Sequence, residues 1–148
     1  MDIRKITGTE KINAIKLVWK VFLEFEAPYF EEKGVIAFRN SISNPEIINE
    51  LVIYGAYENE SLIGVIATRN KGNHIALLFV DKKYHRRGIG RKLFEVVLKN
   101  STANIITVNS SPYAIGFYHK LGFVDIGREQ TRDGMIFTPM KYQKQQNL

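Results

Sequence analysis

The chain has no cysteine. That absence excludes disulfides, a cysteine nucleophile and thiolate metal sites. Histidine is scarce as well: His74, His85 and His119 are scattered and too few to make a zinc site, so no metal is expected. No stretch approaches the roughly 18 uninterrupted apolar residues of a membrane span. The first residues also lack the basic region, apolar run and small-residue cleavage site of a secretory signal. The expected setting is therefore the cytoplasm, with no membrane partner. Internal repeats, low-complexity blocks and long linkers are missing too, and only the closing "QKQQNL" is polar enough to fray.

What is present fits one folded unit. A chain of 148 residues is long enough for one domain with a real core and short for two. Its 45% apolar and 24% charged residues argue against disorder. The expected division is a domain over residues 1–142 and a polar tail over 143–148. The formal charge of +6 points to an anionic partner, without separating nucleic acid from a small phosphorylated molecule.

The elements alternate. "DIRKI" reads as a short strand, and Ile12, Ile15, Trp19, Phe22 and Phe25/Glu26 mark a helical period that stops before Pro28. A second helix is expected from Gly34 to Ile42, and Asn44-Pro45 reads as a turn or helix start. "LVIYGAYE" and "LIGVIATR", rich in β-branched and aromatic residues and joined by "NES", read as a hairpin, with "HIALLFV" as the next strand. "NIITV" is a further strand. "SPYAIGFYHKL" reads as a helix with Ser111 as N-cap, Pro112 at its first position and Gly122 as its stop. "FVDIGRE" and "MIFTPMKY" complete the chain as a strand pair across Thr131-Arg132-Asp133-Gly134. The order β-α-α-β-β-β-α-β-α-β-β implies an α/β domain on a mixed, mostly antiparallel sheet flanked by helices.

The stretch "YHRRGIGRKLF" sets arginines beside Gly88 and Gly90 and then runs into an amphipathic helix, with Ile89, Leu93, Val96 and Val97 on one face. Glycine allows positive φ and close approach of a ligand to the backbone. A helix N-terminus there presents free N–H groups and the positive end of its dipole, which favours an anion such as phosphate. Two phosphate motifs fail: a dinucleotide fingerprint needs glycine where Leu93 stands, and a Walker A loop needs Gly-Lys-Ser/Thr.

The strand "ALLFVDKKY", the loop "HRRGIG", the helix after it and "NSSPYAIGFYHKLGF" together resemble the acyl-CoA-binding core of the GNAT N-acetyltransferases. The resemblance is strongest from about His74 to Phe123. That family's Gln/Arg-x-x-Gly-x-Gly/Ala loop falls on His85-Arg86-Arg87-Gly88-Ile89-Gly90, with His at the first position. It implies that Arg86, Arg87, Gly88, Ile89, Gly90 and Arg91 hold the pyrophosphate of coenzyme A. The family's Asn-x-x-Ala-x-x-x-Tyr-x-x-x-Gly-Phe segment aligns with Ala114, Tyr118, Gly122 and Phe123, and Ser111 stands in the Asn position. The resemblance makes Ser111, Ala114 and Tyr118 coenzyme contacts, and Tyr118 the general acid as well. By spacing alone Tyr118 would read as a core tyrosine. The family's oxyanion donor lies on the strand before the loop, here Leu78-Phe79-Val80.

The implied chemistry asks for such groups. An amine with a pKa of roughly 10.4 must lose a proton before it attacks a thioester. A fixed backbone N–H on the resulting oxyanion lowers the barrier by roughly 2.7–4 kcal/mol. The leaving thiolate, near roughly 8.5, takes a proton from a tyrosine near 10. The expected activity is therefore acetyl transfer from acetyl-CoA to a primary amine, a small molecule or a peptide, by direct attack in a ternary complex. For the base, Glu24, Glu26, Glu31 and Glu32 cluster with Phe25, Tyr29 and Phe30, and the sequence selects none of them. Two other classes stay open. One is a silent acyl-CoA-binding or regulatory domain. The other is a nucleic-acid module, disfavoured because Lys82-Lys83, Arg86-Arg87 and Arg91-Lys92 centre on one glycine loop and no helix-turn-helix, zinc-finger or RNA motif is readable, so no nucleic acid is expected. A homodimer is the base-rate expectation.

Overall fold

Alternating β-branched and aromatic residues between Val52 and Val80 build the centre of the sheet. β2 (Val52–Glu58), β3 (Ser61–Arg69) and β4 (His74–Val80) run antiparallel in series. Asn59 and Glu60, at φ 50° and 67°, make the two-residue turn between β2 and β3. Positive φ at both positions matches the right-handed twist of a hairpin. The structure is a computed structural model and describes residues 1–145. The expected fraying at the chain's end falls largely on residues 146–148, outside the described residues.

Around that centre lie β1 (Asp2–Ile6), α1 (Lys11–Phe25), α2 (Glu32–Ser43) and α3 (Pro45–Asn49), followed after β4 by α4 (Ile89–Asn100), β5 (Ile105–Ser110), α5 (Ile115–Leu121), β6 (Val124–Asp125), β7 (Gln130–Arg132) and β8 (Met135–Gln143). The sheet order is β1-β2-β3-β4-β5-β8-β6, with β7 also paired to β8. Among the described residues, only β4 and β5 pair in parallel. The fold is thus the mixed, mostly antiparallel α/β sheet that the sequence implies.

Each face of the sheet buries its own core. On one, Val18, Val21 and Phe22 of α1 and Phe38 of α2 pack over Val65, Ala67, Leu77 and Phe79. Phe22 and Phe38 stack with ring centroids 4.0 Å apart. On the other, Leu93 and Val97 of α4 and Tyr118 of α5 cover Ile63, Ile66, Ile106 and Met140.

Three local expectations differ from the structure. In α1 the buried positions are Ala14, Leu17, Val18, Val21 and Phe22, and Ile12 is 59% exposed. The helix carries apolar residues on more than one stripe, and the sheet takes the one with the small residues Ala14 and Val18. The helix expected from Ser111 begins instead at Ile115. The Ala114 amide donates to the Ser111 carbonyl and hydroxyl (3.1 and 3.3 Å), a local turn that competes with helix. Finally, "FVDIGRE" is not one strand. Asp125 pairs with Met140 and Gln130 with Phe137, so the four residues between them on one side answer two on β8, and the excess loops out around Gly127, packed on Pro139.

Candidate active site

The parallel ladder between β4 and β5 is only two pairs long, His74↔Thr107 and Ile75↔Val108. Beyond it the strands diverge. A bulge helps: Ala67 pairs with Leu77 and Thr68 with Ile75, which leaves Ala76 as the extra residue. The Asp81 amide donates to Ile63 of β3 at 2.8 Å. By the alternation of an antiparallel ladder, the Phe79 amide also faces β3, and the amides of Leu78 and Val80 face the open wedge. The Val80 carbonyl accepts from His85 Nε2 at 2.7 Å, which ties the following loop back to the strand.

That loop turns sharply. Arg86 (φ 64°) and Gly88 (φ 74°) are both left-handed, and Gly88 is the N-cap of α4. The first-turn amides of Ile89, Gly90 and Arg91 therefore have no partner within the helix. A Cβ at Gly88 would meet nothing within 4 Å, so the position is kept for its φ and leaves open space at the helix end. A Cβ at Gly90 would lie 2.9 Å from Phe117, so that glycine serves the close packing of α4 on α5. These amides border a groove of about 930 Å³ that also takes in Leu78, Val80, Lys82, Arg86, Arg91 and Lys120. The donor set, uncapped amides among cationic side chains, fits a pyrophosphate.

Arg87 turns elsewhere. Its guanidinium donates to both carboxylate oxygens of Glu58 (3.0 and 3.3 Å), away from the groove lining. Arg91 reaches the Lys120 carbonyl at 3.3 Å while still lining the groove. Phe25 lies between His85 and Tyr113, at centroid distances of 4.9 and 5.1 Å, and these aromatics form one wall. The sequence reading passed over Tyr113.

A second, smaller chamber of about 230 Å³ lies deeper in the wedge. Ser111 and Tyr118 line it, and Ala114, Leu78 and Phe79 line both spaces. Tyr118 is 5% exposed and packs edge-on to Phe117 and Phe123. Burial, and then the charge of Glu26, push its hydroxyl well above the ordinary tyrosine value. Glu26 itself lines both spaces. It keeps some accessible surface toward them, yet protein surrounds its carboxylate. Desolvation lifts that carboxyl from 4.5 to about 7, partly opposed by the Ser111 hydroxyl.

Glu26 is the residue that sequence reasoning left undistinguished among four glutamates. Its signal was its place in the α1 pattern: it follows Phe22, a fully buried residue, by four positions and so continues the core-facing stripe. Among the described residues, no group of three or more His, Asp and Glu is placed to hold a metal ion. Nor is any helix among them long and apolar enough to cross a membrane.

Residues 26–144 match the acetyltransferase (GNAT) domain. The chain belongs to the GNAT family. It is 36% identical over 63 residues to the peptidyl-lysine N-acetyltransferase YjaB of Salmonella typhimurium, a match covering 42% of this chain and 43% of that protein. The chain thus spans under half the length of that curated relative. Among solved structures, a GCN5-related N-acetyltransferase from Rhodopseudomonas palustris superposes with a TM-score of 0.83 over 97% of this chain and 95% of its own, at 18% identity. The PaiA N-acetyltransferase of Thermoplasma acidophilum, solved in complex with coenzyme A, gives 0.74 over 97% and 98%, at 20% identity. At these identities the two neighbours share the GNAT fold with this chain.

Proposed function

We propose that this protein is a cytoplasmic N-acetyltransferase that moves the acetyl group of acetyl-CoA to a primary amine by direct attack in a ternary complex, with residues 1–142 as the catalytic domain. One observation carries the reading: Glu26, Leu78 and Ala114 line both spaces, so the larger groove and the deeper chamber meet at a carboxylate, an open backbone amide and the turn leading to Tyr118.

When bound, acetyl-CoA supplies an activated thioester. The chain's own groups do the rest. The amides of Ile89, Gly90 and Arg91, with Arg86 and Arg91, bind the pyrophosphate, and Arg87 holds the loop through Glu58. Glu26 accepts the proton that the acceptor ammonium must lose. Its lifted pKa suits that task near neutral pH, since a base works best when poised close to the operating pH. The Leu78 and Val80 amides stabilise negative charge on the carbonyl oxygen, with Phe79 fixing the strand between them. Tyr118 donates its hydroxyl proton to the departing sulfur. Ser111 and Ala114 shape the turn between the two spaces. No enzyme-bound acyl group is needed, and positioning of both substrates supplies much of the rate.

The test is calorimetric titration of acetyl-CoA into the wild type and the Gly88→Trp and Tyr118→Phe variants, with circular dichroism as a folding check. Binding that is lost in the glycine variant and kept in the tyrosine variant is the expected result. A folded wild-type protein that binds no acetyl-CoA would sink the reading.

A further inference from the structure

The deeper chamber has walls from two separate parts of the chain. Ala37 and Phe38 come from α2, and Met135 and Phe137 come from the β7–β8 hairpin. These two walls touch. Gly34, at the start of α2, is buried against the hairpin turn so closely that a Cβ on it would lie 2.2 Å from the Gly134 carbonyl oxygen. A Cβ on Gly134 would in turn lie 2.6 Å from the Gly34 nitrogen. Glycine on both sides allows a backbone-to-backbone seal with no room for a methyl group.

The interior is matched to a compact body. A cavity of about 150 Å³ accommodates benzene, so the chamber's 230 Å³ holds roughly nine non-hydrogen atoms. Phe30, Phe38, Phe137 and Met135 offer it apolar surface, Ser41, Asn109 and Asp133 add polar groups, and Glu26 is the carboxylate at the side shared with the groove. At the rim, the Arg132 guanidinium lies 5.2 Å from the Phe137 ring centroid. Asp133, next to it in the chain, lines the chamber as well.

We infer that the acceptor is a small primary amine with an apolar or aromatic body, seated between α2 and the β7–β8 hairpin with its nitrogen toward Glu26, and not a lysine of a polypeptide. The inference rests on the acetyltransferase reading. In the step it serves, the ammonium first gives one proton to Glu26; the freed amine nitrogen then bonds to the acetyl carbon, the carbon–sulfur bond breaks, the sulfur takes a proton from Tyr118, and the second proton leaving the nitrogen restores the Tyr118 hydroxyl.

The experiment measures thiol release at saturating acetyl-CoA with 2-phenylethylamine, and with a ten-residue peptide blocked at its N-terminus and bearing one central lysine. The expected kcat/KM is at least about 100-fold higher for 2-phenylethylamine, the scale of discrimination a shaped site supplies. Ala37→Phe, which fills the chamber, is expected to raise the KM for the amine by at least about tenfold and to leave the Kd for acetyl-CoA within about twofold, because it removes acceptor space alone. Equal or faster turnover of the peptide would overturn the inference. So would an unchanged amine KM in Ala37→Phe, or acetyl-CoA binding with turnover of neither acceptor. Failure of acetyl-CoA to bind at all would instead overturn the acetyltransferase reading on which it rests.

Discussion

The carboxylate of Glu26 lies close enough to Tyr118 for its negative charge to hold the phenol proton more firmly. The two groups therefore titrate well apart. Glu26 gives up its proton near 7, and Tyr118 keeps its own well beyond that point. This order suits a base that must be empty and an acid that must be full at the same pH.

Glu26→Gln separates catalysis from stability. We expect kcat/KM for the amine to rise through about pH 7 in the wild type, whereas the variant loses that limb and falls by roughly 10²–10⁴-fold. Stability moves the other way. The folded state binds this proton more tightly than the unfolded chain, so its contribution is complete below about 4.5 and is lost as pH rises through about 7. At pH 8 the variant is expected to be more stable than wild type by about 1–3 kcal/mol, and at pH 4 the two converge. Urea unfolding at both pH values checks this.

Tyr118→Phe is expected to lower kcat by roughly 10²-fold while leaving acetyl-CoA affinity nearly unchanged. Calorimetry beside steady-state kinetics reads both. A large loss of affinity with kcat intact would make Tyr118 a binding residue alone.

Arg87 and Glu58 are partly exposed, so breaking their pair should cost under about 1 kcal/mol of stability. For binding, Arg86→Ala is expected to weaken acetyl-CoA by about tenfold, or about 1.4 kcal/mol. Arg87→Ala and Glu58→Ala should each weaken it only a few-fold, and the double variant no further than either single one, since they act through one contact. If Arg87→Ala matches Arg86→Ala, Arg87 touches the ligand directly.

Two glycines give opposite outcomes. Gly90→Ala drives a methyl to 2.9 Å from Phe117 and is expected to destabilise by about 1–3 kcal/mol. At Gly116, in α5, a Cβ meets nothing within 4 Å, so Gly116→Ala should stabilise by about 0.5–1 kcal/mol. Thermal unfolding of the two variants against wild type decides the pair.

Much of the fold is legible in the sequence because the informative features are local. The turn at Asn59-Glu60, the helix stop at Gly122 (φ 109°) and the loop before α4 are each set by residues within a few positions of one another. Glu26 is legible only in part: its spacing from Phe22 sets it apart from Glu24, whereas the burial beside Ser111 and Tyr118 that raises its carboxyl comes from elsewhere in the chain. The same holds for Arg87, whose partner Glu58 lies 29 residues away. The break between β6 and β7 escaped for a related reason, since Gly127 is placed by Pro139 across the ladder.

With just two residue pairs joining β4 to β5, the sheet is two half-sheets sharing one short seam, one carrying β1 to β4 and the other β5, β8 and β6. Such a seam resists shear poorly by itself. A molecule lodged in the wedge bears on both halves at once and acts as a keystone, so its binding energy adds to the cohesion of the whole domain.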